Sequence, residues 1–545
     1  MRLNLLGVSL CASLLLSVSC AGPRPMERGP SATMENAGSL PQTRAERTGF
    51  LETTRYEEII DFLQVLDHAS SEMHLTYFGY SHEGRALPLM VWGNDDPAPE
   101  AVIATGKTRV FLQANIHAGE VEGKEALLIL LREMADGRHA GWADSLVILV
   151  APIYNADGNE RVNLFNRPRQ HGPLAGMGQR PNAQGFDLNR DHMKLDSPEA
   201  HALTSFLTRY DPHVAVDLHA TNGTYHAYHL TYSPPLNPNT HPDIVSILRE
   251  DWLPGIRDRV RADRGWEMYY YGNVPQAESP WAAPSGAERG WYTFDHRPRF
   301  SNNYVGLRNR FAILSEAYAH LPFQERIQVT TVFVREIVDY AAHNAGSIRA
   351  VTEAADRTSI IGQQMAVRSD FSRSPSPVEI LMGEVREERN PFSGEIILRR
   401  VDTVRREMMP EFGTFAATER EIVPAVYLIP ADLTNVIFKL GAHGVAMERL
   451  TADRTLEEEQ FHIHTSSSSE TAFQQHHERT LTGVYRAATR RIPAGTVVVP
   501  MNQPLARLAF YLLEPRSDDG FVNWNVLDAQ MDGATIYPIT RAHIW

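Results

Sequence analysis

Arg109-Val-Phe-Leu-Gln-Ala-Asn-Ile-His117-Ala-Gly-Glu120 is an apolar run that closes on a histidine and a glutamate three residues apart. Val110, Phe111, Leu112 and Ile116 predict a buried strand, and Glu125 to Met134 predicts the helix that follows it. His117 and Glu120 then fall in the turn where a parallel strand ends, which is where open α/β sheets keep their sites. A neutral imidazole beside a carboxylate suits a hard-to-borderline divalent ion, and a catalytic zinc usually takes three protein ligands with one position left for water. A third ligand is therefore required.

Pro212-His-Val-Ala-Val-Asp-Leu-His219-Ala-Thr-Asn-Gly223 supplies one. Val214, Ala215, Val216 and Leu218 make a second short apolar strand, His219 stands at its carboxyl end, and Asn222-Gly223 turns the chain. Each histidine taken alone reads as a strand cap; together they read as a metal site for one Zn2+ ion on His117, Glu120 and His219.

This pattern resembles the zinc metallocarboxypeptidases, the family of carboxypeptidases A, B, D, E and N, whose metal motif is His-x-x-Glu followed roughly a hundred residues later by His. Arg180-Pro-Asn-Ala-Gln-Gly-Phe-Asp-Leu-Asn189-Arg190-Asp191 is similar to the Arg-x-Asn-Ala-x-Gly-x-Asp-Leu-Asn-Arg segment of the D/E/N branch. Gly79-Tyr-Ser-His-Glu-Gly-Arg85 looks like the family's entry strand, and Pro152-Ile-Tyr-Asn-Ala-Asp-Gly158 resembles its Pro-x-x-Asn-Pro-Asp-Gly turn. The resemblance spans roughly residues 50 to 345. It implies that Asn189 and Arg190 hold the substrate's terminal carboxylate and that Arg180 polarises the scissile carbonyl. It also implies a glutamate base late in the domain, and Arg310-Phe-Ala-Ile-Leu-Ser-Glu316, a strand closing on a carboxylate, offers Glu316. Tyr304 is the nearest candidate for the family's substrate-covering tyrosine, at a shorter distance from Glu316 than the family pattern has.

The chemistry agrees. Amide hydrolysis needs an activated water, a Lewis acid or donor for the developing oxyanion and a proton carrier for the leaving amine. Zinc on the three ligands supplies the first and part of the second. A guanidinium at position 180 stays ionised and adds planar donors, Arg190 with Asn189 can grip a carboxylate through charge-assisted bonds, and Glu316 would carry the proton. Arg308 and Arg310 stand where pocket-lining residues are expected. His226 and His229 lie in a strand-like aromatic run without an acidic partner and read as pocket wall or packing. His462, His464, His476 and His477 flank Thr465–Ser469 and read as part of a solvated loop.

Leu3 to Val18 is an apolar segment of secretory type, and Ser17-Val-Ser-Cys20-Ala-Gly22 resembles a lipoprotein processing site with Cys20 lipidated. The expected division is therefore a signal peptide at 1–21, a flexible tether at 22–47, a catalytic domain at 48–346 and a C-terminal accessory domain at 350–545. The expected location is extracytoplasmic: periplasmic, secreted, or anchored to the outer membrane through Cys20. Cys11 and Cys20 are the two cysteines, so the globular part contains neither a disulfide nor a thiolate ligand. The 66 acidic residues against 52 basic ones argue against nucleic acid as a partner.

The fold expected is α/β: a mixed, largely parallel sheet with helices on both faces, and a C-terminal β-rich or α+β region. Thr53–His68 predicts a first helix, Ser197-Pro-Glu-Ala a capped helix start, and Pro322 to Ala345 a long closing helix. Beyond Ala350, stretches such as Ile380–Val385, Val423–Ile429 and Ala506–Leu513 are apolar and short, which predicts mostly strands. The functional expectation is a zinc metallocarboxypeptidase that uses zinc-activated water and a glutamate base on the C-terminal bonds of peptides or proteins, cell-wall peptides among them. Two alternatives stand beside it: a zinc amidohydrolase of the deacylase kind, which lacks the Arg-x-Asn-Ala segment, and a non-catalytic carboxypeptidase-like binding protein.

Overall fold

Four strands run parallel through the middle of an eight-stranded sheet: β3 (Thr108–Ala114), β4 (Leu146–Ala151), β5 (Val214–Thr221) and β9 (Phe311–Tyr318). β1 (Met73–Tyr80) and β2 (Ala86–Trp92) add antiparallel at one edge, and β6 (Leu230–Ser233) and β7 (Met268–Tyr270) complete the other, giving the order β1-β2-β4-β3-β5-β9-β6-β7. The computed structural model describes residues 40–221, 223–275 and 286–545. The signal segment and Cys20 lie outside the described residues.

Every residue of β3, β4 and β5 is buried, because helices cover both faces of the sheet. On one face the helix Glu122–Ala135 approaches so closely that a Cβ at Gly123 would come within 2.7 Å of the Leu218 Cβ. On the other face Phe206, from the helix Pro198–Tyr210, lies 4.4 Å from the ring of Phe111. Ala114 and Leu218 therefore face one layer and Phe111 the other, as the two-residue period of a strand requires. Ser197 caps its helix by accepting the Ala200 N–H, with Pro198 in the first turn. From β3 the chain moves to β4 on one side and to β5 on the other, so the strand order reverses between the carboxyl ends of β3 and β5. A crevice opens at such a reversal.

Residues 40–47 are not a tether. Thr43 and Glu46 form a reciprocal capping box around the helix Arg44–Arg47, Ala45 is buried, and Glu46 is bound by Arg132 at 2.6 Å. The Thr-x-x-Glu signature that fixes this turn is local and short.

The C-terminal region is β-rich, as expected, although its strands pair in long ribbons. Val378–Arg389 pairs with Ile396–Met409, and Gln364–Ser372 pairs with Thr414–Ile422. A six-stranded sheet contains the hairpin Arg454–Ser468 with Arg479–Ile492. His462 and His464 belong to this hairpin rather than to a solvated loop. Ala506–Leu513 is a helix rather than a strand: all eight residues are buried, Arg507 included, and an apolar run this short reads equally as a buried strand. Residues 40–545 form one compact unit, and a single apolar cluster runs from Tyr56, in the helix Tyr56–Ala69, to Ile539 near the end of the chain. Among the described residues no helix is long and apolar enough to cross a membrane.

Candidate metal centre and hydrolytic site

Just past β3 the chain enters a tight turn: Asn115 adopts a left-handed φ of 65°, and the Glu120 N–H donates to the His117 carbonyl at 2.9 Å. The turn brings His117 Nδ1 to 3.0 Å from Glu120 Oε1. His219, on β5, places its own Nδ1 2.9 Å from Glu120 Oε2 and 3.2 Å from His117 Nδ1. One ligand atom from each of the three residues lies within 4.8 Å of the others, and all three residues are buried.

The opposite nitrogen of each ring decides what these atoms can be. His117 Nε2 lies 3.0 Å from Asp187 Oδ1, and His219 Nε2 lies 2.9 Å from Asp217 Oδ2. Each carboxylate takes an N–H, which leaves a lone pair on both Nδ1 atoms, facing each other and the Glu120 carboxylate. Such a cluster is repulsive until a cation enters it, and two imidazoles with one carboxylate form a zinc donor set. Without a metal, a proton does part of that work. Burial opposes charge on His219, but Asp217 and Glu120 outweigh it and hold the ring protonated well above its usual range. Burial likewise opposes ionisation of Glu120, yet Arg167 and the two histidines keep it well below the ordinary carboxylate range.

Glu316 stands at the carboxyl end of β9, in register with His219 across the ladder. Among the described residues its Oε2 is buried without a hydrogen-bond partner. Burial, with the Glu120 charge added, pushes the carboxyl up to about 8 against the pull of His219, Arg180 and Arg167. This is a group poised to exchange a proton near neutrality.

Arg180 binds Asp187 through Nε at 2.9 Å and a terminal nitrogen at 2.8 Å, and reaches to 3.8 Å from Glu120 Oε1; its side chain keeps 39% exposure. Its carbonyl accepts from Asn155 Nδ2 at 3.2 Å, and that amide also holds the Ile116 carbonyl at 3.3 Å. The turn Pro152–Gly158 thus ties the end of β3 to the Arg180 loop. The same turn meets the entry strand, because Asp157 accepts from the Ser81 hydroxyl at 2.6 Å and from Arg85 at 2.7 Å.

Asn189 and Arg190 follow Asp187 in a short 3-10 turn. The Asn189 amide approaches His219 Nε2 at 3.5 Å, and its oxygen accepts from the Ser301 N–H at 2.9 Å. The Arg190 guanidinium lies 3.8 Å above the Phe300 ring and makes one hydrogen bond among the described residues, to the Asn189 carbonyl at 2.6 Å. Burial lowers its pKa to about 10, so the side chain is charged, desolvated and rich in free donors. An anion satisfies all three conditions.

Three expectations are corrected. Tyr304 does not cover the site: it is fully buried in the helix Ser301–Leu307, and its hydroxyl lies 2.8 Å from His443 Nδ1. Arg308 donates to the His443 carbonyl at 2.9 Å, while Arg310 pairs with Asp211 at 2.7 Å and with Asp356 at 3.0 Å. Both arginines precede β9 and lie at the end of the strand opposite Glu316, so neither lines a substrate pocket. His476 is bound to Asp196 at 2.7 Å rather than free in solvent.

Four residues that the sequence reading passed over belong to the site. Asp217 lies two positions before His219 on one strand and shares its face. Asp187 serves His117 and Arg180 together. Arg167 donates to Glu120 Oε1; it sits in an irregular loop that carries no periodic signal. Tyr271, directly after β7, accepts from Asn273 at 3.1 Å, and burial and the Glu316 charge raise its hydroxyl pKa to about 12.

The chain is similar to known proteins over most of its length. The family model for zinc carboxypeptidase matches residues 59–296. Carboxypeptidase 2 of Trichophyton equinum is 26% identical over 96% of this chain and 93% of its own length. Carboxypeptidase 2 of Trichophyton rubrum is 24% identical over 90% of this chain and 86% of its own. Among solved structures, a metallo-carboxypeptidase from Burkholderia cenocepacia aligns at a TM-score of 0.39 and 16% identity, covering 53% of this chain and 70% of that one. Carboxypeptidase A from Helicoverpa armigera aligns at 0.39 and 17% identity, covering 56% and 75%. Residues 59–296 thus match the zinc carboxypeptidase family, and the relatives that span nearly the whole chain are named carboxypeptidases.

Proposed function

We propose that this enzyme removes the C-terminal residue of peptides by hydrolysis, with His117, Glu120 and His219 holding one zinc ion, Glu316 as the base, Arg180 at the carbonyl oxygen and Asn189 with Arg190 at the terminal carboxylate. Three features at one end of the sheet carry this reading: a three-ligand cluster, a carboxyl tuned to about 8 in register with His219, and a desolvated arginine with unused donors that follows Asn189, whose amide lies 3.5 Å from His219 Nε2.

Zinc held by these ligands supplies a Lewis acid that acidifies water and polarises a carbonyl. Glu316 takes the proton from the attacking water and returns it to the departing nitrogen. Arg180, fixed by Asp187, faces the oxygen on which negative charge grows, and this stabilisation is strongest where water is excluded. Arg190 neutralises the substrate carboxylate and so sets which peptide bond meets the base. That selection by charge favours cleavage of the terminal bond over internal ones.

The test is a digest of peptides that differ only in carrying a free or an amidated C-terminus, with metal content measured on the same enzyme. Release of single C-terminal residues from the free acids alone supports the proposal. Equal cleavage of both forms, or cuts at internal bonds, overturns it.

A further inference from the structure

The chain between Ser468 and Arg479 joins the two strands of the long C-terminal hairpin and reaches the hydrolytic site from outside the family match. Gln474 Oε1 accepts the backbone N–H of Asp187 at 2.8 Å, and Gln475 donates to the Gln184 carbonyl at 3.3 Å. Both glutamines hold left-handed φ values, 49° and 68°, a conformation that side-chain-bearing residues avoid unless their surroundings impose it.

Those surroundings are built from both ends of the loop. Phe473 and His476 exchange backbone hydrogen bonds at 2.8 and 3.0 Å. His476 is held by Asp196 at 2.7 Å and by Asn525 at 3.2 Å. Glu478 accepts from Arg299 at 2.7 Å, and that guanidinium lies 4.4 Å above the Trp524 ring. The turn is therefore fixed by packing before Gln474 reaches Asp187.

Asp187 has no slack. Its Oδ1 serves His117 Nε2 and the Asn189 N–H, each at 3.0 Å, and its Oδ2 serves Arg180. The backbone N–H is its remaining polar group on that side, and Gln474 binds it. Partners of this kind, one step removed from a metal ligand, set ring orientation and ligand basicity.

We infer that Gln474 is a positioning residue for hydrolysis: it fixes Asp187, and through it the His117 ring and the Arg180 guanidinium, which makes the C-terminal region a working part of the site. This rests on the function proposed above. Because His117 and Arg180 act on the transition state rather than on ground-state binding, loss of Gln474 is expected to lower kcat with little change in KM.

The test uses the full chain with Gln474→Met, which keeps the length and removes the acceptor, and with Gln474→Glu, which keeps an acceptor. Zinc affinity is measured by chelator competition, and kcat and KM are measured on a free-acid peptide. Gln474→Met is expected to weaken zinc binding and lower kcat on the order of tenfold, with Gln474→Glu restoring the zinc affinity. Unchanged zinc affinity and kcat in Gln474→Met overturn the inference. Equal losses in both variants with a lowered melting temperature also overturn it, since the loop would then act only by holding the fold together. If the wild type releases no C-terminal residue, the proposed function falls, and the zinc comparison still decides the role of Gln474.

Discussion

Glu316 stands opposite His219 in the parallel ladder of β5 and β9. Residues in register on adjacent strands project to the same face, so the carboxyl and the imidazole share one end of one crevice without any loop to place them. Rigid backbone positions the base relative to the metal ligand, and that arrangement has kinetic consequences.

Glu316→Gln removes the proton carrier and keeps the shape. It is expected to lower kcat by about 10²- to 10⁴-fold, with zinc content unchanged because Glu316 is outside the three-ligand cluster. The wild-type kcat/KM should fall as pH drops through the Glu316 pKa, since only the ionised carboxylate accepts a proton. Burial and Glu120 raise that pKa from 4.5 to about 8, and a bound dication would pull it back down. The acid limb of the pH profile should therefore lie between those two values and shift upward where zinc is replaced by a less acidic ion. Full turnover in Glu316→Gln assigns the base elsewhere.

Asp217→Asn tests how the ligand rings are held. The Asp217 carboxylate accepts from His219 Nε2 at 2.9 Å and from the Ser301 hydroxyl at 2.5 Å. An amide in its place turns one acceptor into a donor and frees the imidazole to adopt the other tautomer. Zinc affinity should drop about 10- to 100-fold, measured against a chelator of known strength. An affinity equal to wild type would mean that the ring is oriented by packing alone.

Much of this site could be read from the sequence because its parts are strand ends. Buried parallel strands leave largely apolar runs, and the titratable residues near their carboxyl ends, His117, His219 and Glu316, stand out by contrast. The accompanying residues were harder to see for three physical reasons. Asp217 looks like an interruption in its apolar run until its face is known. Arg167 and Gln474 come from irregular chain and reach the site only through tertiary contact. Tyr304 is the nearest tyrosine upstream of Glu316 although its spacing is short, and the helix Ser301–Leu307 turns its hydroxyl into the core. In the C-terminal region the full length of the ribbons is not legible, because their outer parts carry few apolar marks, as in Ile396–Met409, where positions 402–406 are all exposed.

Arg190→Ala should separate binding from chemistry. The guanidinium rests on Phe300 and has free donors, so its loss removes charge-assisted bonds to the substrate carboxylate, each worth about 1.5–3 kcal/mol. KM for a free-acid peptide should rise about 10- to 100-fold, while the already poor rate on the amidated peptide changes little. Arg190→Lys should recover only part of the loss, because an ammonium cannot reproduce the planar fork. A KM that stays put on the free acid would remove Arg190 from substrate binding.

Tyr304→Phe distinguishes a core tyrosine from a catalytic one. The hydroxyl is shared between His443 Nδ1 at 2.8 Å and Arg308 at 3.4 Å, all three residues being buried. His443 is neutral there, since burial lowers its pKa to about 3, so its ring depends on neighbours rather than on water for hydrogen bonds. Deleting the hydroxyl leaves a buried nitrogen unpaired and should cost about 1–3 kcal/mol of stability, visible as a lower midpoint in urea unfolding at constant m-value. Because that hydroxyl points away from His117, Glu120 and His219, kcat/KM at 25 °C should remain within about twofold of wild type, the scatter expected of a substitution that removes no transition-state contact. A large fall in kcat with an unchanged midpoint would place the hydroxyl at the substrate after all, which the bond to His443 forbids unless the helix Ser301–Leu307 rearranges.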